Sequence, residues 1–264
     1  MNVTENDVLA VDGDIIAYRT AAVCEEDFEG ACASIIDSTL KEISTSTGVN
    51  NMRIYLSGRD NFRYAVGKTK PYKGNRATMV RPRFLDYCKK YLVEKYKAFE
   101  CHGYEADDGI ATDMTINGAI HCGIDKDILQ IAGRHYNYVN KEWQEVDEEQ
   151  AVITLYRQVL MGDASDNVPG LPRVGAKTAE KIILDPITAH DDAIAYYHEV
   201  CSDKMPDVNP DEYFNEQFSL IQMVTSANVT FDHTVFVEPN TEGFAAQAGE
   251  FTEVENFDKK EVRL

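Results

Sequence analysis

The 264-residue sequence holds only six cysteines, eight prolines and one tryptophan, and it has no long apolar run. The cysteines at 24, 32, 88, 101, 122 and 201 form no C-x-x-C pair and no Cys/His spacing suited to zinc. A disulfide-stapled scaffold and a zinc module are therefore excluded, and the thiols carry no functional message. The longest apolar stretches, such as VLAV and AVITLY, are far too short to cross a bilayer, and MNVTENDV lacks the cationic and apolar regions of a signal peptide. The expectation is a soluble cytoplasmic protein with no membrane partner. With 44% apolar residues the chain is neither disordered nor collagen-like, and at this length one main domain, alone or with a small appendage, buries an adequate core.

Positive charge is scarce as well, with 26 Lys+Arg against 45 Asp+Glu and a net charge of −19. Such a balance ordinarily argues against a nucleic-acid partner, because phosphate binding depends on local cation density. The average conceals an uneven distribution. Residues 51–97 carry 13 Lys/Arg against Asp60, Asp86 and Glu94, a local +10, and the remainder carries −29. Phe62, Tyr64, Tyr72, Phe84, Tyr87, Tyr91 and Tyr96 are interleaved with those cations, the composition wanted for tracking a backbone and stacking on bases. YCKKYLVEKYKAF also reads as an ordinary helix with its tyrosines packed underneath, whereas Pro71, Gly74 and Pro82 interrupt any regular face in KTKPYKGNRATMVRPRF.

DVLAVDG is a short apolar run closed by Asp-Gly, followed by a helical IIAYRTAAVCEE, and MRIYLSG repeats the strand pattern before Asp60. A helix at 84–98, a strand at 99–102, a helix opened by EADD and a strand at 119–123 complete an alternation that predicts an α/β fold with a mostly parallel central sheet flanked by helices. From 151 the pattern is helical, and from 238 it is an acidic tail with little pattern. The division is an α/β core over 1–150, including a basic segment at 60–98, and a helical region over 151–264.

The acids at predicted element ends are Asp12, Asp60, Glu105, Asp107, Asp108, Asp125, Asp127, Asp163 and Asp166. Asp107 and Asp108 are expected in the first turn of a helix, Asp163 and Asp166 on one helix face, and Asp125 and Asp127 on one side of an extended segment. Any pair alone reads as helix-end charges or a turn. Gathered together they need a counter-charge, and an oxygen-rich site without His or Cys fits hard Mg²⁺ or Mn²⁺, two of which can act on a phosphodiester. NVPGLPRVGAKTA then reads as a tight turn between two helices over about 160–185. Gly170 and Gly175 permit positive φ and close approach, and Lys177 adds a cation.

Taken together, VDGD, PYKGNR, YEADDGIA, GIDKDILQ and MGDASDNVPGLPRVGAKTAEKI resemble the 5′ nuclease family: flap endonucleases, the 5′ nuclease domain of bacterial DNA polymerase I, and phage 5′→3′ exonucleases. The resemblance covers about residues 8–190 and implies a PIN-like core, an arch and a helix-hairpin-helix. By that similarity Asp12, Asp60, Glu105, Asp107 and Asp108 form a first metal cluster, and Asp125, Asp127, Asp163 and Asp166 a second. Lys73 and Arg76 then reach the scissile phosphate, with Arg81 and Arg83 as weaker candidates, and Tyr72 stacks on a terminal base. The hairpin, with Gly170, Arg173, Gly175, Lys177 and Thr178, grips duplex DNA and in relatives uses a potassium ion. The implied protein is a monomeric, stand-alone replication, repair or recombination nuclease, of phage-like type, acting with Mg²⁺ on DNA 5′ ends, flaps and nicked or branched duplex, with RNA–DNA hybrid as an alternative substrate. Only 44 residues separate Asp60 from Glu105, implying a compact arch. Two rivals stand beside this reading. VDGD with GDASDN and Lys141 also resembles haloacid-dehalogenase-type phosphatases, with Asp12 as nucleophile; and a DNA-structure binder would use the hairpin and arch without catalysis.

Overall fold

Strand β1 (Val8–Asp12) lies at the centre of the sheet, and its alternation sends Leu9 and Val11 to one face and Ala10 to the other. The computed structural model describes residues 3–240. After β1 come α1 (Gly13–Val23), α2 (Glu29–Thr47), β2 (Asn51–Ser57), α3 (Arg63–Val66), α4 (Leu85–Tyr96), β3 (Phe99–Cys101), α5 (Ala106–Asn117) and β4 (Ile120–Gly123). The chain continues through β5 (Gly133–Asn137), β6 (Glu142–Val146), α6 (Glu148–Met161), α7 (Ala176–Ile182), α8 (Ala189–Lys204), α9 (Pro210–Ile221) and β7 (Val235–Phe236). The sheet order is β3-β2-β1-β4-β5-β6; β1 to β5 pair in parallel, β6 returns antiparallel to β5, and β7 pairs antiparallel with β2. Because β2 and β4 flank β1 on opposite sides, the chain reverses its direction of growth there. The crevice beyond the C-terminal end of β1 is where an open α/β sheet takes its ligand.

One face of the sheet buries α1, α2 and α4, through Ile16, Ile36, Leu40 and Leu92 among others. The other buries α5, through Ala106, Ile110, Ala111 and Met114. A separate apolar cluster ties α6, α7, α8 and α9 together around Tyr197, Phe214 and Leu160. The run of helices α6 to α9 begins at Glu148. The chain after α9 returns to the core: Met223 N donates to Gln130 Oε1 at 2.8 Å and Ala227 N to Thr112 Oγ1 at 3.0 Å. The sequence reading has neither α2 nor the β5–β6 hairpin. The acidic tail lies outside the described residues from 241 onward. No described helix is long and apolar enough to cross a membrane.

Candidate active site

Four separate segments bring carboxylates to the crevice. Asp12 ends β1 and caps α1, its Oδ1 accepting Ile15 N at 3.1 Å. Glu105 is the N-cap of α5 and Asp107 lies in its first turn. Asp125 follows β4 and accepts Asp127 N at 2.9 Å, while Asp127 is fixed by Gln158 Nε2 at 3.0 Å. Asp163 and Asp166 sit in the turn after α6, which Asp163 and Val168 close by exchanging backbone hydrogen bonds of 2.9 and 2.8 Å. Glu105, Asp107, Asp125, Asp127, Asp163 and Asp166 line one small cavity of about 50 Å³. Asp12 lies close enough to perturb Asp107 and to be perturbed by Asp125.

The basic segment is laid across this cavity. Lys73 N donates to Asp166 O at 2.8 Å, Asn167 Nδ2 to Pro71 O at 2.8 Å, and Asn75 Nδ2 to Ala164 O at 2.9 Å. Lys73 Nζ pairs with Glu105 and lies 3.6 Å from Asp166, and Arg76 pairs with Asp166 at 2.5 Å. The Tyr72 hydroxyl stands 2.9 Å from Glu105 and 2.7 Å from Asp166.

Burial, then the neighbouring Asp14 and Asp125 charges, push Asp12 up to about 7. Burial, then Asp125 and Asp163, push Asp127 up to about 7 as well. Asp107 is pushed well above the usual carboxylate range by burial and by Asp12, Asp125 and Glu105. Asp125 rises through burial and the Asp163 and Asp166 charges. Burial opposes the charge on Lys73, but Glu105 and Asp166 outweigh it and raise its pKa. The cluster therefore has more negative charge than its own cations neutralise, and its donors are all hard oxygens. Among the described residues no three of these side chains are already gathered around one point at ligating distance. Glu105 and Asp166, one from each expected cluster, are engaged instead by Lys73, Tyr72 and Arg76.

No family model matches the chain. It is 29% identical over 206 residues to a 5′-3′ exonuclease of Buchnera aphidicola subsp. Acyrthosiphon pisum (strain APS), covering 67% of this chain and 70% of that protein. Its fold matches a crystal structure of the bacteriophage T5 flap endonuclease in complex with DNA and metal ions, with TM-score 0.54, 18% identity, and 83% and 86% of the two chains covered. The catalytic core of Rad2 with DNA substrate matches with TM-score 0.53 and 14% identity, over 89% and 84%. The chain is thus similar in sequence to 5′-3′ exonucleases and shares its fold with the flap endonuclease and Rad2 structures.

Several expected site residues stand elsewhere. Asp108 is fully buried and turned away from the cavity, with Arg63 Nη1 and Nη2 at 2.6 and 2.8 Å and Val224 N at 2.8 Å. Successive helical side chains point about 100° apart, so only one of two adjacent aspartates faces the crevice. Asp60 is exposed at a turn with φ of 65° and does not line the cavity, because β2 ends at Ser57 and the chain bends before reaching it. Asp163 and Asp166 are not on a helix, since α6 ends at Met161. The 125–127 segment is a side-chain-closed turn into a 3₁₀ turn (Asp127–Gln130) rather than extended chain. Tyr72 is only 4% exposed, its ring packed edge-on against Tyr64, so it has no free face for a base. Gly170 has the expected positive φ of 57°, but Gly175 is extended at φ −119° and caps α7. The exposed Arg81 pairs with Asp86, and the exposed Arg83 lies over the Phe84 ring. Arg173 and Lys177 are exposed at the hairpin and Thr178 is half-buried.

Sequence reasoning missed Arg63, counted only among the segment's cations, and the pair Gln130 and Gln158. Gln158 interrupts an apolar stretch of α6, and that was the available signal. Its Oε1 accepts Gln130 Nε2 at 3.0 Å while its amide holds Asp127.

Proposed function

We propose that this chain hydrolyses phosphodiester bonds at or near DNA 5′ ends, as a divalent-metal-dependent 5′→3′ exonuclease and structure-specific flap endonuclease. The observation that supports it is the convergence of seven carboxylates from four segments beside Lys73 and Arg76. A donor set made only of hard carboxylate oxygens fits Mg²⁺, with Mn²⁺ as substitute. Asp12, Glu105 and Asp107 would hold one ion, and Asp125, Asp127, Asp163 and Asp166 the other. The chemistry supplied by such ions when bound is activation of a water and stabilisation of the leaving 3′ oxygen.

Lys73 and Arg76 place positive charge where the equatorial oxygens of the phosphate develop theirs. Gln158 keeps Asp127 aimed at the cavity, and the closed 163–168 turn keeps Asp163 and Asp166 on its wall. At the hairpin, Gly170 O and Leu171 O accept from Tyr213 Oη and Val174 N, and each keeps a second lone pair that a potassium ion would use. The phosphatase reading is disfavoured because Lys141 is paired with Glu42 of α2 at 2.7 Å, and it leaves the arch and hairpin without a role.

End-labelled 5′-flap, nicked, blunt and single-stranded DNA, with an RNA 5′ end as a further arm, incubated in Mg²⁺ and read for product length, tests the proposal. Short 5′-terminal products that vanish in EDTA are expected. Full cleavage in chelator, or hydrolysis of small phosphomonoesters with none of DNA, overturns it.

A further inference from the structure

His121 of β4 and His135 of β5 are paired across the two parallel strands, and both are buried. His135 Nε2 lies 3.0 Å from Ile131 O, and the two Nδ1 atoms lie 3.2 Å apart. A carbonyl oxygen only accepts, so His135 Nε2 carries a proton. Burial pushes His135 down to about 4, and burial together with the neighbouring imidazole pushes His121 down to about 3, so both rings are neutral in ordinary buffer. His135 Nδ1 is then a bare acceptor and His121 Nδ1 must donate to it. His121 Nε2 is left with a lone pair and no proton.

That lone pair points towards the C-terminal end of the strand, where the carboxylates gather. Gly123 follows on the same face of β4, and the Cβ position it leaves empty is 2.5 Å from His121 Nε2 and 3.3 Å from Asp12 Cβ. The ring nitrogen and the Asp12 side chain therefore flank one gap. Asp12 Oδ1 accepts from Ile15 N, and among the described residues no protein group hydrogen-bonds to His121 Nε2. An ionised carboxylate and a bare ring nitrogen are both acceptors, so only a donor with two protons can join them. A water is such a donor, and a polar gap retains one when it offers two or more partners.

We propose that His121 is a positioning residue for Asp12: its Nε2 and the Asp12 carboxylate share a bridging water, and the hydrogen bonds running back through His135 to Ile131 O fix the direction in which that water donates. Supporting partners of this kind set the orientation of a metal-ligating side chain. This rests on the nuclease reading above, in which Asp12 is a ligand, and brings in two residues from outside the carboxylate set. A purely structural role for the pair, filling the core between β4 and β5, predicts a change in stability with none in metal affinity.

The test compares His121→Asn, whose amide reaches only the Nδ1 position and keeps the bond to His135, with His121→Gln, whose amide reaches the Nε2 position. Mn²⁺ binding is measured by calorimetry without DNA, and cleavage of a 5′-flap duplex in Mg²⁺. His121→Asn is expected to weaken Mn²⁺ binding and lower kcat by about 10–100-fold, with duplex affinity in Ca²⁺ unchanged, and His121→Gln to recover most of both. ¹⁵N NMR of the histidine rings in the metal-free unmodified protein, recorded above the Asp12 pKa of about 7, should find His121 protonated at Nδ1 and bare at Nε2. The opposite tautomer, Mn²⁺ affinity unchanged in His121→Asn, or equal losses in the two variants overturns the assignment. The tautomer and the Mn²⁺ affinity are read without DNA, so failure of the unmodified protein to cut DNA removes the nuclease reading instead.

Discussion

Replacing Asp108 by Asn in chelator separates two roles for the second aspartate of the EADD motif by the sign of a stability change. Asp108 and Arg63 have side chains 0% and 3% exposed and form a two-pronged pair at 2.6 and 2.8 Å. Arg63 Nε also donates to Leu220 O at 3.0 Å and Nη2 to Gln222 O at 2.8 Å, so the pair ties α3 and α5 to the chain leaving α9. Removing one partner of such a pair leaves an uncompensated buried charge and costs about 3–5 kcal/mol. For a domain of this size that is a fall in Tm of roughly 6–20 °C. A ligand in the repulsive cluster behaves in the opposite way, since in EDTA one charge fewer relieves its neighbours and raises Tm. Thermal and urea unfolding followed by circular dichroism in EDTA decide the sign. The double variant Arg63→Met with Asp108→Leu is expected to regain much of the loss, because an apolar pair leaves no charge to solvate. A rise in Tm for Asp108→Asn, or a loss below about 1 kcal/mol, refutes the structural role.

The carboxyls of Asp12 and Asp127 sit at about 7 in the fold, against about 4 in an unfolded chain. Raised acids bind more protons folded than unfolded, so the stability they contribute to the metal-free protein is present below about pH 4 and lost as pH rises to about 7. Urea midpoints in EDTA across that window should fall, and should fall less in Asp12→Asn with Asp127→Asn; a flat unmodified profile contradicts the crowding. Lys73→Ala should lower kcat about 10²–10³-fold while duplex affinity in Ca²⁺ changes only a few-fold, and the reverse ranking makes Lys73 a binding residue. At Gly170, with φ of 57°, an added Cβ would meet Gly162 N and Met161 C at 2.3 Å, whereas at Gly175 nothing lies within 4 Å. Gly170→Ala should therefore cost about 2–4 kcal/mol and Gly175→Ala under about 1, compared by urea unfolding.

What was legible in the sequence was local. Asp12 follows its apolar run directly, and Glu105 and Asp107 open a helix whose apolar spacing is plain, so β1 and α5 and their acids could be placed from pattern. The 19-residue α2 was equally legible, because Cys32, Ile36, Leu40 and Ile43 recur at helical spacing. The β5–β6 hairpin was not, since GRHYN and EWQEV show little alternation of apolar and polar residues. Identical neighbours such as Asp107 and Asp108 give a pattern no means of deciding which one faces the crevice. Arg63 decides it from 45 residues away, a contact only the folded chain creates.

The same limit applies to the charge count of residues 51–97. Arg53 is consumed by the buried Asp113 at 2.7 Å and Arg63 by Asp108, while Lys89 and Lys95 are engaged by Asp14 and Asp37. A cation paired in the interior holds the fold together and adds little to the field outside. The capacity for phosphate therefore depends on which cations remain unpaired and where they stand. Lys70, Arg173 and Lys204, far apart in sequence, line one groove. Net charge alone therefore does not say where a polyanion would be drawn, because acids elsewhere repel it from the rest of the surface.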